Sequence, residues 1–229
     1  MTPIVLCTKV SKTYLQGKLV VAALQDIDLS VQAGAFVALA GPSGSGKTTL
    51  LNLIGSLDSP DSGQIVVNGQ DYSSLSPAQM AELRLQSIGF VFQSYNLIPV
   101  LTAIENVEYV MLLQSVPKEQ RRQRALKVLE EVGLQGMEER RPAELSGGQQ
   151  QRVAVARAVA SNPSIVLADE PTANLDSSTG EGLLGMMKDM NQKSGVTFIF
   201  STHDQMVMDF ANRVVTIRDG RIMNDQAKA

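Results

Sequence analysis

Residues 36–48, FVALAGPSGSGKT, join a short apolar run to a glycine-rich loop that ends in Lys47 and Thr48. An apolar run of this length is typical of a buried strand. The loop fits the pattern G-x-x-x-x-G-K-[S/T], which binds phosphate when a strand precedes it and a helix follows it. A helix predicted from about residue 47 to residue 55 completes that context. The stretch therefore predicts an α/β fold with a nucleotide site at the end of a buried strand.

The glycine-rich loop is expected to surround the phosphates of the nucleotide. Its glycines let the backbone bend so that successive N–H groups point at phosphate oxygens. The following helix adds the positive end of its dipole. Lys47 can reach the β- and γ-phosphates, and the Thr48 hydroxyl can ligate Mg²⁺. The predicted nucleotide-binding residues here are Gly41, Pro42, Ser43, Gly44, Ser45, Gly46, Lys47, Thr48 and Thr49.

Strands and helices alternate along the rest of the chain, which indicates an α/β core. A helix-rich stretch from about 95 to 160 looks inserted into this core, so that residues 1–94 and 161–229 form the remainder of a single domain. Further strands are predicted at 4–10, 19–31, 64–67, 88–92, 165–168, 196–200, 214–217 and 221–223. Further helices are predicted at about 77–85, 149–161, 177–193 and 205–211.

The composition argues against a nucleic-acid partner and against a membrane-spanning chain. The net charge is −3, and Trp is absent, so neither a basic surface nor aromatic stacking on bases is indicated. Cys7 is the only cysteine, which excludes an intrachain disulfide, and we expect it to be a small buried thiol on the first strand. No apolar run approaches the roughly 20 residues of a membrane helix. Any membrane role must therefore come through partners.

Two carboxylates follow the apolar strand at 165–168. Ligands of open parallel sheets bind at the carboxyl ends of the strands, so Asp169 and Glu170 are expected to face the phosphates. Asp169 suits the Mg²⁺ shell, through water, and Glu170 is the candidate general base or positioner of the attacking water. The alternative is a pair of solvated loop acids.

A second anion-binding loop is indicated at residues 145–149, LSGGQ, immediately before an amphipathic helix. The Ser146 hydroxyl and the amides of two glycines at a helix N-terminus form a phosphate receptor. The alternative is an ordinary serine N-cap. One chain thus carries two such loops, but only one of them contains the Lys-Thr pair.

LSGGQ resembles the signature motif of ATP-binding-cassette ATPases, and the resemblance extends from about residue 4 to residue 223. It implies a P-loop NTPase fold with a RecA-like core, an antiparallel β-subdomain and an inserted α-helical subdomain. It also implies hydrolysis of ATP with Mg²⁺ by a head-to-tail homodimer that has two composite sites. In each site, the signature residues of one copy would close on the γ-phosphate held by the other; these are Ser146, Gly147, Gly148 and Gln149.

The resemblance implies four further roles. Tyr14 would stack on adenine, although a simple strand-end tyrosine is the alternative. Gln93 would touch Mg²⁺ and the water and lead into the helical subdomain, and residues 174–176 would communicate across the dimer. His203, the only histidine, would contact the γ-phosphate and hold Glu170 and the water in place. The implied catalytic residues are Glu170, His203, Gln93 and Lys47, and the implied metal ligands are Thr48, Gln93 and Asp169.

Within the family, the chain looks most similar to the ATPases of lipoprotein-release and macrolide-export systems, on segments 41–53, 88–99, 101–107, 145–152 and 167–176. That likeness implies transmembrane permease subunits, possibly a periplasmic membrane-fusion protein, and a location on the cytoplasmic face of the membrane. The alternatives are a transenvelope signalling or cell-division complex and a cytosolic repair or translation ATPase. Two departures from the family pattern, Ser201 and Asn174, are expected to leave the assigned roles untouched.

Overall fold

The computed structural model describes residues 2–17 and 19–228. Its elements follow one another as a strand hairpin, a core with alternating strands and helices, and a terminal pair of strands. In chain order they are β1 (Val5–Gln16), β2 (Leu19–Val31), β3 (Phe36–Ala40), α1 (Lys47–Ile54), β4 (Ser62–Val67), β5 (Gln70–Asp71), α2 (Pro77–Ser87), β6 (Ile88–Val91), α3 (Ala103–Leu113), α4 (Lys118–Glu131), α5 (Gly147–Ala160), β7 (Ile165–Asp169), α6 (Ser177–Ser194), β8 (Thr197–Thr202), α7 (Gln205–Phe210), β9 (Arg213–Arg218) and β10 (Arg221–Ala227).

The strands form two sheets. The first is antiparallel, in the order β2-β1-β4-β5, and the second has six strands in the order β10-β9-β3-β8-β7-β6. In the second sheet the pairs from β9 to β6 are parallel, and only β10 runs antiparallel, at one edge. Strand β3 lies between β9 and β8, so the loop that follows it opens at the carboxyl edge of a central strand. This confirms the predicted α/β fold class and the context of the phosphate loop.

Both faces of the parallel sheet are covered, and the side chains alternate between them with the period of a strand. Phe36 and Phe198 point into a core shared with helices α3 to α7. Their neighbours Val37 and Ile199 point into a second core, shared with α1 and the antiparallel sheet. Strands β3 and β8 are buried along their whole length for this reason, and they appear in the sequence as continuous apolar runs.

The helical subdomain is formed by α3, α4 and α5, which pack on one another around Ile104, Val107 and Val128, while α5 also packs against β6. Its predicted limits, about 95 and 160, stay a prediction. Within the described residues, no helix combines the length and the apolar character needed to cross a bilayer.

Several elements differ from the prediction, and three cases show the reasons. Strand β1 reaches Gln16, six residues beyond the prediction, because it continues into a hairpin with β2. Helix α5 begins at Gly147, two residues earlier than predicted, because Ser146 caps it. The two-residue strand β5 was not predicted, since it is too short to show a periodic pattern.

Candidate nucleotide and magnesium site

The phosphate loop packs tightly against one strand of each sheet, β9 and β2. A β-carbon at position 41 would lie 2.1 Å from the carbonyl oxygen of Ile217, and one at position 46 would lie 2.5 Å from that of Ala23. Gly46 also has φ +106°, a left-handed conformation that side chains disfavour, and it forms the N-cap of α1. The glycines therefore allow the loop to sit tightly against the two strands that support it.

Lys47 is buried against the phosphate loop and bonds to its backbone. It is only 5% exposed, and its Nζ donates to the carbonyl oxygens of Gly41, at 2.8 Å, and Pro42, at 3.0 Å. An ammonium group has three hydrogens, so one of them stays free for a phosphate oxygen. The position of Lys47 is thus compatible with the role predicted for it.

Thr48 and Asp169 come together although 121 residues separate them. Thr48 lies in the first turn of α1. Its hydroxyl donates to Oδ1 of Asp169, at the end of β7, over 3.0 Å. Two oxygen ligands at this corner suit Mg²⁺, which binds through few protein oxygens and completes its shell with water and phosphate. Residues 2–17 and 19–228 contain no group of three or more His, Cys, Asp or Glu side chains that could hold a metal ion.

Glu170 and His203 form a pair beside this corner. Nδ1 of His203 lies 2.9 Å from Oε1 of Glu170, and the Glu170 side chain is 16% exposed against 60% for His203. Glu170 adopts φ +47°, which costs a non-glycine residue about 1 kcal/mol or more. Its N–H donates to the Ser201 carbonyl on β8 over 3.0 Å. The neighbouring strand thus holds the carboxylate in a strained position, next to the histidine.

The signature loop begins α5 with a capping box. Ser146 Oγ accepts from the Gln149 N–H at 3.3 Å, and the Gln149 side chain accepts from the Ser146 N–H at 2.9 Å. Within one chain, Ser146 is therefore an N-cap, as the alternative interpretation expected. Capping uses an acceptor lone pair of the hydroxyl and leaves its hydrogen available to an anion, so the two interpretations are compatible.

The two signature glycines permit close packing against other loops of the site. A β-carbon at position 147 would lie 2.9 Å from the Tyr95 hydroxyl oxygen, and one at position 148 would lie 2.6 Å from Cγ2 of Thr179. The signature loop thus touches both the loop after Gln93 and the first turn of α6. Among the described residues, no hydrogen bond joins positions 146–149 to positions 41–49.

Gln93 is exposed just after β6, and its carbonyl oxygen accepts from Nδ2 of Asn174 at 2.8 Å. The side chain of the unusual Asn174 thus binds the backbone of Gln93, while the expectation that Asn174 leaves the assigned roles untouched stays a prediction. The other departure, Ser201, is fully buried, and its hydroxyl makes no hydrogen bond with the described residues. Its carbonyl supports Glu170, but any residue at that position supplies a carbonyl.

Tyr14 lies beside the phosphate loop, near the end of β1, and is 40% exposed. Its hydroxyl donates to Asp58 at 2.7 Å, and Lys12 binds the same carboxylate while lying 5.2 Å from the centre of the ring. Burial raises the pKa of Tyr14, as does Asp58, whereas the Thr49 hydroxyl opposes the rise. The ring is thus fixed at its polar end and open to solvent, which permits stacking on a base.

Two contacts at the site have no counterpart in the candidates chosen from sequence. One is the bond from Asn174 to Gln93, and the other is a pair of bonds from Arg157 to the carbonyl oxygens of Tyr95 and Asn96. Both join residues more than 60 positions apart, and in both the acceptor is a backbone carbonyl oxygen. Every residue carries such a carbonyl, so no sequence pattern shows which residue will accept the bond.

Comparison with known proteins agrees with this geometry. A family model described as "ABC transporter" matches residues 24–173. An uncharacterized ABC transporter ATP-binding protein of Methanocaldococcus jannaschii, MJ0796, is 44% identical over 224 residues that cover 95% of this chain and 94% of that protein. The macrolide export ATP-binding/permease protein MacB of Sodalis glossinidius is 44% identical over 98% of this chain. The chain spans 34% of the length of that MacB protein.

A solved structure has the same fold. The dimeric structure of a post-hydrolysis state of the ATP-binding cassette MJ0796, bound to ADP and Pi, gives a TM-score of 0.91 at 42% identity and covers 98% of this chain and 99% of that one. The family predicted from the signature motif and the phosphate loop is thereby confirmed.

Proposed function

Because this chain belongs to the ABC transporter family, we propose that it is the ATP-binding and ATP-hydrolysing subunit of a transporter of the export or lipoprotein-release type. Its permease lies in the membrane, and the subunit works at the cytoplasmic face of that membrane. One observation carries the proposal. The carboxylate–histidine pair of Glu170 and His203 lies beside the Thr48–Asp169 corner, where a water would attack a γ-phosphate held by the phosphate loop.

The side chains divide the chemistry among them. Glu170 orients the attacking water and accepts its proton, and His203 holds the Glu170 carboxylate and contacts the γ-phosphate. Water oxygen bonds to the γ-phosphorus as the bond from that phosphorus to the bridging oxygen breaks, leaving ADP and phosphate. Lys47 stabilises the charge of the transferred group. Thr48, Asp169 and Gln93 would hold Mg²⁺, which would neutralise charge on the phosphate oxygens.

The site becomes complete only when two copies meet. Because no hydrogen bond joins the phosphate loop to the signature loop among the described residues, and because the similar cassette MJ0796 is dimeric in its ADP- and Pi-bound structure, we assign the Ser146 hydroxyl and the amides of Gly147 and Gly148 to the γ-phosphate of a second copy. Two chains arranged head to tail then form two equivalent sites, a closed symmetric arrangement. Before nucleotide binds, Asp169 and Glu170 place like charges near the facing surfaces, so the closed dimer depends on ATP. Hydrolysis removes the phosphate that bridges the two copies, and the dimer then opens.

A groove between α2, β6 and α3 is the proposed contact for the permease. It has a volume of about 410 Å³ and carries apolar side chains beside two arginines. We place an amphipathic cytoplasmic segment of the permease in it, because the groove offers apolar contacts and because the relative MacB combines an ATP-binding part and a permease part in one protein. A periplasmic membrane-fusion protein would join the complex through the permease. The groove-lining residues used here are Leu57, Leu85, Phe90, Tyr109, Leu113 and Arg84.

A pair of matched substitutions tests the composite site. Ser146→Arg removes an N-cap and blocks the approach of a second copy, whereas Ser76→Arg removes an N-cap from an equivalent capping box on α2, also exposed. Both lose about 1 kcal/mol of helix capping. We expect Ser76→Arg to keep MgATP hydrolysis and Ser146→Arg to lose it, with ATP binding to dilute monomer retained in both variants. Lys47→Ala serves as the control that loses ATP binding itself.

The proposal is overturned if Ser146→Arg hydrolyses ATP as fast as Ser76→Arg, because the signature loop would then take no part in the reaction. Co-purification from membranes tests the second half of the proposal. The tagged chain, expressed with its natural neighbours, should bring down a membrane permease, and a Leu113→Glu substitution in the groove should prevent this while ATP hydrolysis by the free subunit persists. A tagged chain that recovers no membrane protein in either form contradicts the permease assignment.

A further inference from the structure

The loop after Gln93 contains two consecutive residues in a strained conformation. Tyr95 has φ +62° and Asn96 has φ +48°. For a tyrosine this left-handed region is unfavourable, and such residues persist only where surrounding contacts hold them. The loop joins Gln93, a predicted Mg²⁺ contact, to α3 of the helical subdomain. Something must therefore hold residues 95 and 96 in place.

Arg157 binds the backbone of both strained residues. Its guanidinium donates to the Asn96 carbonyl at 2.6 Å and to the Tyr95 carbonyl at 2.9 Å. The side chain is half-buried, and among residues 2–17 and 19–228 no carboxylate forms an ion pair with it. Burial lowers the pKa of Arg157. A cation in this setting is held by the two carbonyl groups alone, and charge-assisted hydrogen bonds are the stronger kind.

The same loop meets the other end of the helix that carries Arg157. Tyr95 places its hydroxyl against Gly147, where a β-carbon would lie only 2.9 Å away, while its carbonyl is bound by Arg157. Both contacts belong to α5, which begins at the signature loop. Helix α5 is buried along much of its length, and the loop contacts it at two points, Arg157 and Gly147.

The remainder of the loop is fastened to α3. Asn106 is fully buried, and its side chain binds the N–H and the carbonyl of Ile98 as well as the carbonyls of Leu101 and Thr102. Arg157 thus binds the start of the segment from 95 to 102, and Asn106 binds its end. The segment that joins the sheet to the helical subdomain is therefore bonded at both ends.

From these contacts we propose that Arg157 is a positioning residue which couples the two half-sites of one chain. A change at Gln93 moves residues 95 and 96, and Arg157 passes the movement to α5 and so to Ser146. Nucleotide bound to the phosphate loop of a chain would then set the position of the signature loop that the same chain offers to its partner. The inference rests on the proposed function, since it assigns Gln93 and Ser146 to two different nucleotides.

Two substitutions separate coupling from simple stability. Arg157→Lys keeps the charge but loses the planar pair of nitrogens that donates to the carbonyls of Asn96 and Tyr95. Arg124→Lys is the matched control, because Arg124 is also half-buried and also binds one carbonyl and one other oxygen, those of Ala160 and Asn162, away from the loop. Both are made in a Glu170→Gln background, and ATP-dependent dimerisation is measured by light scattering. ATP binding to dilute monomer is measured separately.

We expect Arg157→Lys to raise the ATP concentration needed for half-maximal dimerisation about tenfold, the effect of losing one charge-assisted bond, with monomer binding unchanged. Arg124→Lys should leave both quantities unchanged. Equal half-maximal concentrations for the two folded variants overturn the proposal. If the Glu170→Gln parent does not dimerise with ATP, it is the proposed function that fails.

Amide hydrogen exchange provides a second test of the coupling, which needs neither an Arg157 variant nor a dimer. In the monomeric Ser146→Arg chain, addition of MgATP should change exchange at residues 94–98 and also at residues 147–150, before any partner is present. A change confined to residues 94–98 contradicts coupling through α5, whatever the outcome of the dimerisation experiment.

Discussion

Nδ1 of His203 lies 2.9 Å from Oε1 of Glu170, although the two residues end different strands and are 33 positions apart in the chain. The contact holds the carboxylate of a residue whose own backbone is strained. A carboxylate that orients water must keep its direction, and removing its partner leaves it free to rotate. The pair thus links a strand-end acid to the residue that we propose contacts the γ-phosphate.

His203→Ala is expected to lower kcat for ATP hydrolysis by about 100-fold or more, because positioned proton-transfer groups contribute about 10²–10⁴. KM for ATP should change little, since the phosphate loop is intact. Steady-state phosphate release measures both constants. Gln205→Ala, a nearby change in a surface contact with Asp209, is the control and should behave as the parent. A His203→Ala chain with parental kcat contradicts the role of the pair.

Asn174→Asp is expected to reduce kcat more than it raises KM. The substituted carboxylate is of the same size but cannot donate to the Gln93 carbonyl, and it places a charge against a carbonyl oxygen, so about 1 kcal/mol or more of local order is lost. Asn174→Gln retains a donor on a longer side chain and should recover part of the rate. If Asp and Gln variants are equally active, the bond to Gln93 has no part in turnover.

Tyr14→Ala is expected to raise KM for ATP about tenfold, because base stacking on an aromatic side chain contributes about 1–3 kcal/mol. Tyr14→Phe keeps the ring and loses only the hydrogen bond to Asp58, so its KM should stay near that of the parent. Adenosine competition distinguishes base binding from phosphate binding. A Phe variant as impaired as the Ala variant would assign the effect to Asp58 rather than to stacking.

Cys7 is expected to resist thiol reagents in the folded protein. It is buried on β1, as the sequence predicted, and burial raises the pKa of its thiol to about 12, with Asp28 adding to the rise. At about pH 8 the thiolate that reacts is therefore scarce. Labelling should be absent in buffer and stoichiometric in denaturant, as followed by absorbance. Rapid labelling of the native chain would show that β1 opens readily.

The parts of the site that the sequence predicted are those encoded by neighbouring residues. Lys47 and Thr48 stand in one local pattern, and Asp169 and Glu170 follow an apolar run, so the general rule for parallel sheets predicted that they meet. The structure brings Thr48 and Asp169 together as expected. The roles of Ser146 and Gln93 toward a nucleotide stay predictions, because they depend on a second copy and on ligands.

The unpredicted features depend on contacts without a local signature. Arg157 and Asn174 bind the backbone carbonyls of residues 95, 96 and 93. Because the side chain of an accepting residue takes no part in such a bond, the sequence does not show which residue accepts it. The extension of β1 to Gln16 depends on its pairing with β2, and exposed hairpin strands show weak alternation. Tertiary partners, rather than local propensity, determine these features.

The most direct test of the account is the mass of Glu170→Gln in solution, with and without MgATP. The substitution removes the group that activates water but leaves the phosphate loop, His203 and the signature loop in place. Light scattering on a size-exclusion column should give a monomer without nucleotide and a dimer in saturating MgATP, with no hydrolysis in either case. A Glu170→Gln chain that stays monomeric in saturating MgATP contradicts the claim that a shared nucleotide closes two copies.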